Sequence, residues 1–522
     1  MKNTAHISCG LRFWARMRNI LLLVLLTFPF WLSAKPADIR QAEPFKKPFS
    51  TAAPLARPVR DLSYLSGNGH FLIHYDTSGY HAVPPEYTAS DSVPDFVVFA
   101  AQYLEDSYGV LHDSLGFKLP PADHENSPEI DVYFSSYFNS YGETFLESEI
   151  ETDVWTSYLT LSTKLSDSSA YYTPGLEGLK VTCAHELFHV FQLGYIFRDQ
   201  DYFYFEMSSV WFEEYMYPEV DDYHSYFNQY SSNWDYAIDH SSLDYNNVGF
   251  NLYIDARHSV PGDNIIRAIW DRVLSEPALD AIRTVLTSRG GGFADALCNW
   301  GSAQVLCYPY AAENFAWPFN DAEALPTISF SRYPENVITE LQAEVSLSSS
   351  PMASYYKITE MPGEAVIFDI GLSEGISAKL ICLDGMQSRV YAVGDAPYVI
   401  DAGRYEDCIL VMGSDREDAS ARIDLTPAPA DLITSLYPNP GSPEGPVHIE
   451  YVLTQDQQSL RMAVYDLRGR RVLRRELQED LLRQGFHTLE LDLRFLNLAS
   501  GIYIFTLRTD TKVLTKKMTF IR

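Results

Sequence analysis

The sequence predicts an α+β domain followed by two all-β sandwich (Ig-like) domains, and three observations carry that prediction. Between residues 61 and 340, short apolar alternations interleave with longer runs of helical spacing. Beyond residue 340 the helical spacing stops, and short alternating segments follow one another with turns at close intervals. The Pro-rich stretch TPAPADL, residues 426–432, then separates two such β-rich regions, 341–428 and 433–522. At 522 residues, with 46% hydrophobic and 14% aromatic content, the chain is too long for one core and too apolar for disorder.

The elements follow in chain order. Arg12, Arg16 and Arg18 precede the apolar run Ile20 to Leu32, and Ser33-Ala34 close it, the order of a secretory signal peptide over residues 1–34. That run is too short to make a stable membrane span. Residues 35–60 read as a linker or propeptide. The alternation HFLIHYD, His70 to Asp76, predicts a strand, residues 93–117 a helix, and Glu129–Phe134 and Thr156–Thr163 two more strands. Thr173-Pro174 signals the start of a helix running to about Leu193. Helical patterns return over 206–227 and, in successive segments, over 248–289. The segments SYYKITE, EAVIFDIGL, AKLICL and CILVMG then supply the first sandwich.

Charge narrows the partners. With 69 acidic against 39 basic residues, the formal charge of −30 disfavours nucleic acid and anionic membrane surfaces and suits a solvated monomer. Losing the leader removes Cys9 and leaves Cys183, Cys298, Cys307, Cys382 and Cys408. In an exported chain, Cys298 with Cys307 and Cys382 with Cys408 would each close a short loop, while Cys183 reads as a packing residue. The acidic stretch EVDDYHSYF lacks EF-hand spacing and is open to calcium or to plain solvation.

The chemistry concentrates in VTCAHELFHVFQLGY, residues 181–195. His185 and His189 are four apart, so on a helix both imidazoles leave one face and can reach a common tetrahedral zinc. Glu186, one step round, can address a water on that metal. With 13 histidines in the chain, a His-Glu-x-x-His block arises by chance only about 0.02 times. A catalytic zinc needs a third protein ligand, and FYFEMSSVWFEEYMYP offers Glu206, with Glu213 or Glu214 as the other candidates. Gln192 lies on the same stripe as His185 and can support the ligands from behind.

His-Glu-x-x-His followed by Glu-x-x-x-x-aromatic-x-Glu resembles the gluzincin metallopeptidases. The blocks HELFHVFQ, FEMSSVWFEEYMYPEVDDYHSYF and NIIRAIWDRVL also resemble a group of secreted bacterial metalloproteases, over about Phe71 to Cys307. The resemblance implies a zincin-like fold for the α+β domain, Zn2+ on His185, His189 and Glu206, and Glu213 as a nearby supporting carboxylate. Met207 and Ser208 stand where the family usually has Gly and an aliphatic residue. Tyr245, in LDYNNVGFNLYI, is similar in position to the tyrosine that stabilises the oxyanion in aminopeptidase-like members. The implied function is an exported zinc metalloendopeptidase in which Glu186 activates water to hydrolyse a protein or peptide substrate lying along an edge strand such as Tyr158 to Thr163. The alternative is a catalytically degenerate surface adhesion or binding protein on the same protease fold.

At the C-terminus, Tyr437-Pro438-Asn439-Pro440, Tyr465-Asp466-Leu467, Gly501-Ile502-Tyr503 and the terminal basic strand resemble the sorting domain of type IX secretion. That resemblance implies a secretion machinery as partner and a secreted or cell-surface location in a Gram-negative bacterium.

Overall fold

The computed structural model describes residues 45–46 and 56–521, except 91, 123–127, 137–139, 168, 170, 312–319, 348–349, 363–364, 395–396, 417 and 443. The expected signal peptide 1–34, and residues 35–44 and 47–55 of the expected linker or propeptide, lie outside the described residues.

A six-stranded mixed sheet opens the fold. Its strands are β1 (Phe45–Lys46), β2 (Leu62–Leu65), β3 (Phe71–Tyr75), β4 (Ile130–Ser135), β5 (Gly142–Glu151) and β6 (Val154–Ser162), in the order β1-β5-β6-β4-β3-β2. β3, β4 and β6 run parallel, while β5 and β2 join antiparallel. β6 is hydrogen-bonded on both sides, so the expected substrate edge at Tyr158 to Thr163 is interior. The period-two pattern of β3 buries Phe71, Ile73 and Tyr75 and leaves Leu72 and His74 half-buried.

Helices α1 (Asp95–Gly109) and α2 (Gly175–Leu193) pack on this sheet, α1 against β3 and α2 against β5 and β6. From Leu179 onward α2 is buried on almost every face, as a helix sandwiched between a sheet and further helices must be. Its expected cap, Thr173, turns elsewhere: Pro174 holds the N-cap position and the Thr173 hydroxyl donates to Asp222.

The expected helix over 206–227 is two helices, α3 (Tyr202–Met216) and α4 (His224–Tyr230). Pro218 disfavours helical backbone at the residue before it, and α3 stops at Met216. α5 (Val248–His258), α6 (Ile265–Val273), α7 (Ala278–Ser288) and α8 (Phe293–Val305) complete the helical layer.

Two β-sandwich modules follow. The first sets β8 (Gln342–Ser346), β10 (Ala365–Leu372), β13 (Tyr398–Asp401) and β15 (Ser420–Pro427) against β7 (Val337–Ile338), β9 (Met352–Ile358), β11 (Ile376–Asp384), β12 (Gln387–Ala392) and β14 (Asp407–Ser414). The second sets β16 (Leu432–Tyr437), β17 (Pro446–Leu453) and β20 (Gly485–Asp492) against β18 (Arg461–Asp466), β19 (Arg471–Glu476), β21 (Gly501–Arg508) and β22 (Val513–Phe520).

The expected boundary at residue 340 falls inside one core. Ala353, Tyr355, Ile381, Leu383, Ile409 and Val411 of the first sandwich belong to the same buried cluster as the helices. α8 lies directly on β14: a side chain at Gly413 would collide with the backbone of Ala294 and Cys298. The second sandwich has a separate core around Val447, Tyr451 and Phe505.

The expected disulfides are absent, and all five described cysteines are buried thiols. Cys298 donates to Val411 O at 3.7 Å and Cys307 to Ala303 O at 3.4 Å, so the two sulfurs serve different backbone acceptors. Cys382 and Cys408 are cross-strand partners in β11 and β14, as thiols.

Candidate metal centre

α2 and α3 pack together, and their contact brings His185, His189 and Glu206 to one point. The four-residue spacing on α2 stacks the two imidazoles on one face, with Nε2 of His185 and Nε2 of His189 3.0 Å apart. Glu206 comes in from α3, with Oε2 3.2 Å from His185 Nε2 and Oε1 3.7 Å from His189 Nε2. Glu206 and His189 are wholly buried, and His185 is 3% exposed.

The partners behind the rings fix where their protons sit. His185 Nδ1 is 2.6 Å from Glu213 Oε1, and a carboxylate can only accept, so Nδ1 carries hydrogen. His189 Nδ1 is 2.7 Å from Gln192 Oε1. The Gln192 amide is oriented by its own Nε2, which donates to Phe205 O at 3.1 Å, so its oxygen faces the ring. Ser209 Oγ lies 3.2 Å from the same Nδ1. In the neutral rings, both Nε2 lone pairs therefore point toward each other and toward a carboxylate whose two oxygens make no hydrogen bond. Three electron-rich groups converging in a dry interior repel unless a cation or a proton sits among them.

Without a metal, a proton takes that place. Burial opposes charge on His185, but the nearby carboxylates of Glu206 and Glu213 outweigh it and hold the ring up at about 10. Burial likewise opposes charge on Glu206, and the attraction of His189 and His185 overrides it, down to about 2. The donor set of two imidazole nitrogens and one carboxylate fits zinc, with a position left for water.

Glu186 stands beside the cluster, 6% exposed. Its Oε2 accepts from Thr144 Oγ1 at 2.7 Å, which ties α2 to β5. Burial raises its pKa, against the pull of the two histidines. The close approach of β5 depends on Gly142, where a Cβ would stand 2.9 Å from Glu186 Cγ and 2.7 Å from Thr160 O.

Tyr245, in the turn before α5, lays its ring parallel to His185 at 5.9 Å between centroids and 7° between planes. Burial, and then the Glu206 charge, push its hydroxyl well above the ordinary tyrosine range. Asp244 is raised to about 7 by burial and by Glu206.

The structure thus brings Glu186, Tyr245 and Gln192 to the same point as the three candidate ligands. Of the alternative third ligands, Glu213 sits behind His185, and Glu214 is not in the group of ligand atoms that converges with the two histidines. Sequence reasoning missed Thr144, Ser209 and Asp244. None carries a local signal, since Thr144 reaches Glu186 from another element, 42 residues away.

Comparison with known proteins gives two family matches. Residues 81–333 match a family described as "Family of unknown function (DUF6055)", and residues 435–521 match the secretion system C-terminal sorting domain. No curated protein matches the chain. Among solved structures it is similar to a glycosyl hydrolase family 2 member from Bacteroides cellulosilyticus, at 14% identity and a TM-score of 0.15 over 32% of this chain and 26% of that one. A β-glucuronidase from Parabacteroides merdae matches at 9% identity and a TM-score of 0.16, over 32% of this chain and 28% of that one. A β-glucuronidase from Bifidobacterium dentium matches at 10% identity and a TM-score of 0.15, over 32% and 39%. The chain spans well under two thirds of the length of these structures, and at such TM-scores none of their activity carries over.

These findings correct two expectations. The family matching residues 81–333 has no assigned function, so neither the zincin-like fold class nor the zinc metallopeptidase is upheld. The alternative of an adhesion protein on a protease fold falls with them, since it presupposes that fold. The physical reason is that two histidines one helical turn apart and a facing glutamate specify a seat for a metal, and such a seat fixes neither a fold nor the bond that is cleaved. The sorting domain, in turn, makes this an exported protein, secreted or displayed at the cell surface through type IX secretion. Among the described residues, no helix is long and apolar enough to cross a membrane.

Proposed function

We propose that the chain is an exported zinc-binding hydrolase whose metal is held by His185, His189 and Glu206 and whose general base is Glu186. The observation that carries this reading is the convergence of two Nε2 lone pairs and an unbonded, fully buried carboxylate on one point. Zinc in that seat supplies Lewis acidity, which brings water into the range where a carboxylate can deprotonate it.

The chain's own residues do the rest. Glu213 and Gln192 orient the imidazoles by taking their Nδ1 protons in hydrogen bonds. The Thr144 hydroxyl holds Glu186 by Oε2, and the proton from water goes to the Glu186 carboxylate. Burial raises the affinity of that carboxylate for the proton, which suits a base working near neutral pH. Tyr245 faces the cluster as a neutral hydrogen-bond donor, its ionisation suppressed by burial and by Glu206.

The test combines metal analysis with an activated ester. The purified full chain is expected to retain zinc at this seat, to lose it in His189→Ala and Glu206→Ala, and to keep it in Glu186→Gln. With p-nitrophenyl acetate as probe, Glu186→Gln is expected to slow hydrolysis by about 10²–10⁴. Zinc content untouched by His189→Ala and Glu206→Ala would remove the seat, and undiminished hydrolysis in Glu186→Gln would remove the base.

A further inference from the structure

A second cluster lies beyond the end of α3, outside the centre just described. Asp221 sits in the turn after α3, His224 opens α4, and Asp321 comes from a 3-10 turn, Asn320–Glu323, about a hundred residues later. One ligand-type atom from each lies within 4.8 Å of the others. His224 Nε2 is 3.9 Å from Asp221 Oδ1 and 3.8 Å from Asp321 Oδ2. Both distances exceed a hydrogen bond, and Nε2 is buried with no hydrogen-bond partner.

Two carboxylates converging on a buried imidazole nitrogen that has no hydrogen-bond partner form an arrangement that needs positive charge among them. Tyr223 already donates to Asp321 Oδ2 at 2.8 Å, holding that carboxylate in place from outside the cluster.

We propose that Asp221, His224 and Asp321 form a second divalent-cation site, which clamps the Asn320–Glu323 turn to the α3–α4 connection. Donors that surround a metal at about 2.1 Å stand roughly 3.4 Å apart in a tetrahedron, so a small inward movement closes the observed spacing. The imidazole nitrogen favours a zinc-type transition metal over calcium, which takes oxygen ligands alone. The site is separate from the first, since the two groups of converging ligand atoms share no residue.

The test is zinc stoichiometry on the full chain, stripped of metal, loaded with Zn2+ and dialysed against metal-free buffer. The wild type is expected to hold two equivalents, His189→Ala one, and Asp321→Asn one, with the double variant holding none. Asp221→Asn is the control for folding, since Asp221 has a φ of 53° and asparagine accepts that backbone; it too is expected to lose one equivalent. Thermal unfolding in the His189→Ala background is expected to shift upward on adding zinc, and the shift is expected to vanish with Asp321→Asn. A wild type holding a single zinc that His189→Ala removes and Asp321→Asn leaves would overturn this site and keep the first. A single zinc removed by Asp321→Asn and kept by His189→Ala would do the reverse.

Discussion

The two histidines of the first centre are held by unlike neighbours, and that division decides what single substitutions do. His185 has a charged carboxylate behind it at 2.6 Å, while His189 has a neutral amide at 2.7 Å. Glu213→Gln keeps an acceptor in place but removes the negative charge that makes the ring a stronger ligand. It is expected to weaken zinc binding by about 10–100-fold, read by competition with a chromogenic chelator, while leaving the thermal transition of the metal-free protein cooperative. Unchanged affinity would show that Glu213 is only a packing residue. The two histidines and Glu186 were legible in the sequence because four residues span about one helical turn. The supporting contact of Gln192 follows from the same periodicity. Thr144, Ser209 and Asp321 were not legible, because each meets its partner only once separate elements have packed.

At the scale of elements, the approach of β5 to α2 sets where Glu186 stands, and Gly142 permits it. A Cβ there would meet Thr160 O at 2.7 Å, Thr182 Cγ2 at 2.8 Å and Glu186 Cγ at 2.9 Å. One of these is backbone of the neighbouring strand, so β5 must move. Gly142→Ala is expected to lower stability by about 1–3 kcal/mol and to reduce ester hydrolysis while zinc content stays at the wild-type value. Gly371→Ala in β10, with nothing within 4 Å of the added carbon, is the neutral comparison. Equal melting temperatures for the two variants would show that the β5–α2 contact is slack. Periodicity located α2, β3 and β4 well, since burial there follows one regular face. It ran α3 and α4 together, because aromatic residues continue at helical spacing across Tyr217-Pro218 and hide the break.

The whole molecule divides differently from its sequence texture. The shift from helical to β spacing near residue 340 marks a change of element, while the core runs through it by way of α8 on β14. The second sandwich meets the first through the ion pair of Arg389 with Glu450 and the Arg389 guanidinium 5.2 Å above the Tyr437 ring. Two truncations separate these descriptions. A chain of residues 56–431 loses only the second sandwich, and Arg389, 30% exposed and still over Tyr391 at 5.0 Å, reaches water once Glu450 is gone. That chain is expected to unfold cooperatively within about 4 °C of the full protein and to keep its zinc. A chain of residues 56–340 uncovers the face of α8 that holds Cys298 and Gly301 against Val411. It is expected to lose the cooperative transition and to expose apolar surface to a fluorescent dye, since the removed strands supply part of the core that the helices share. A cooperative melt of 56–340 at the temperature of 56–431 would mean that the change of texture at residue 340 is a true domain boundary after all.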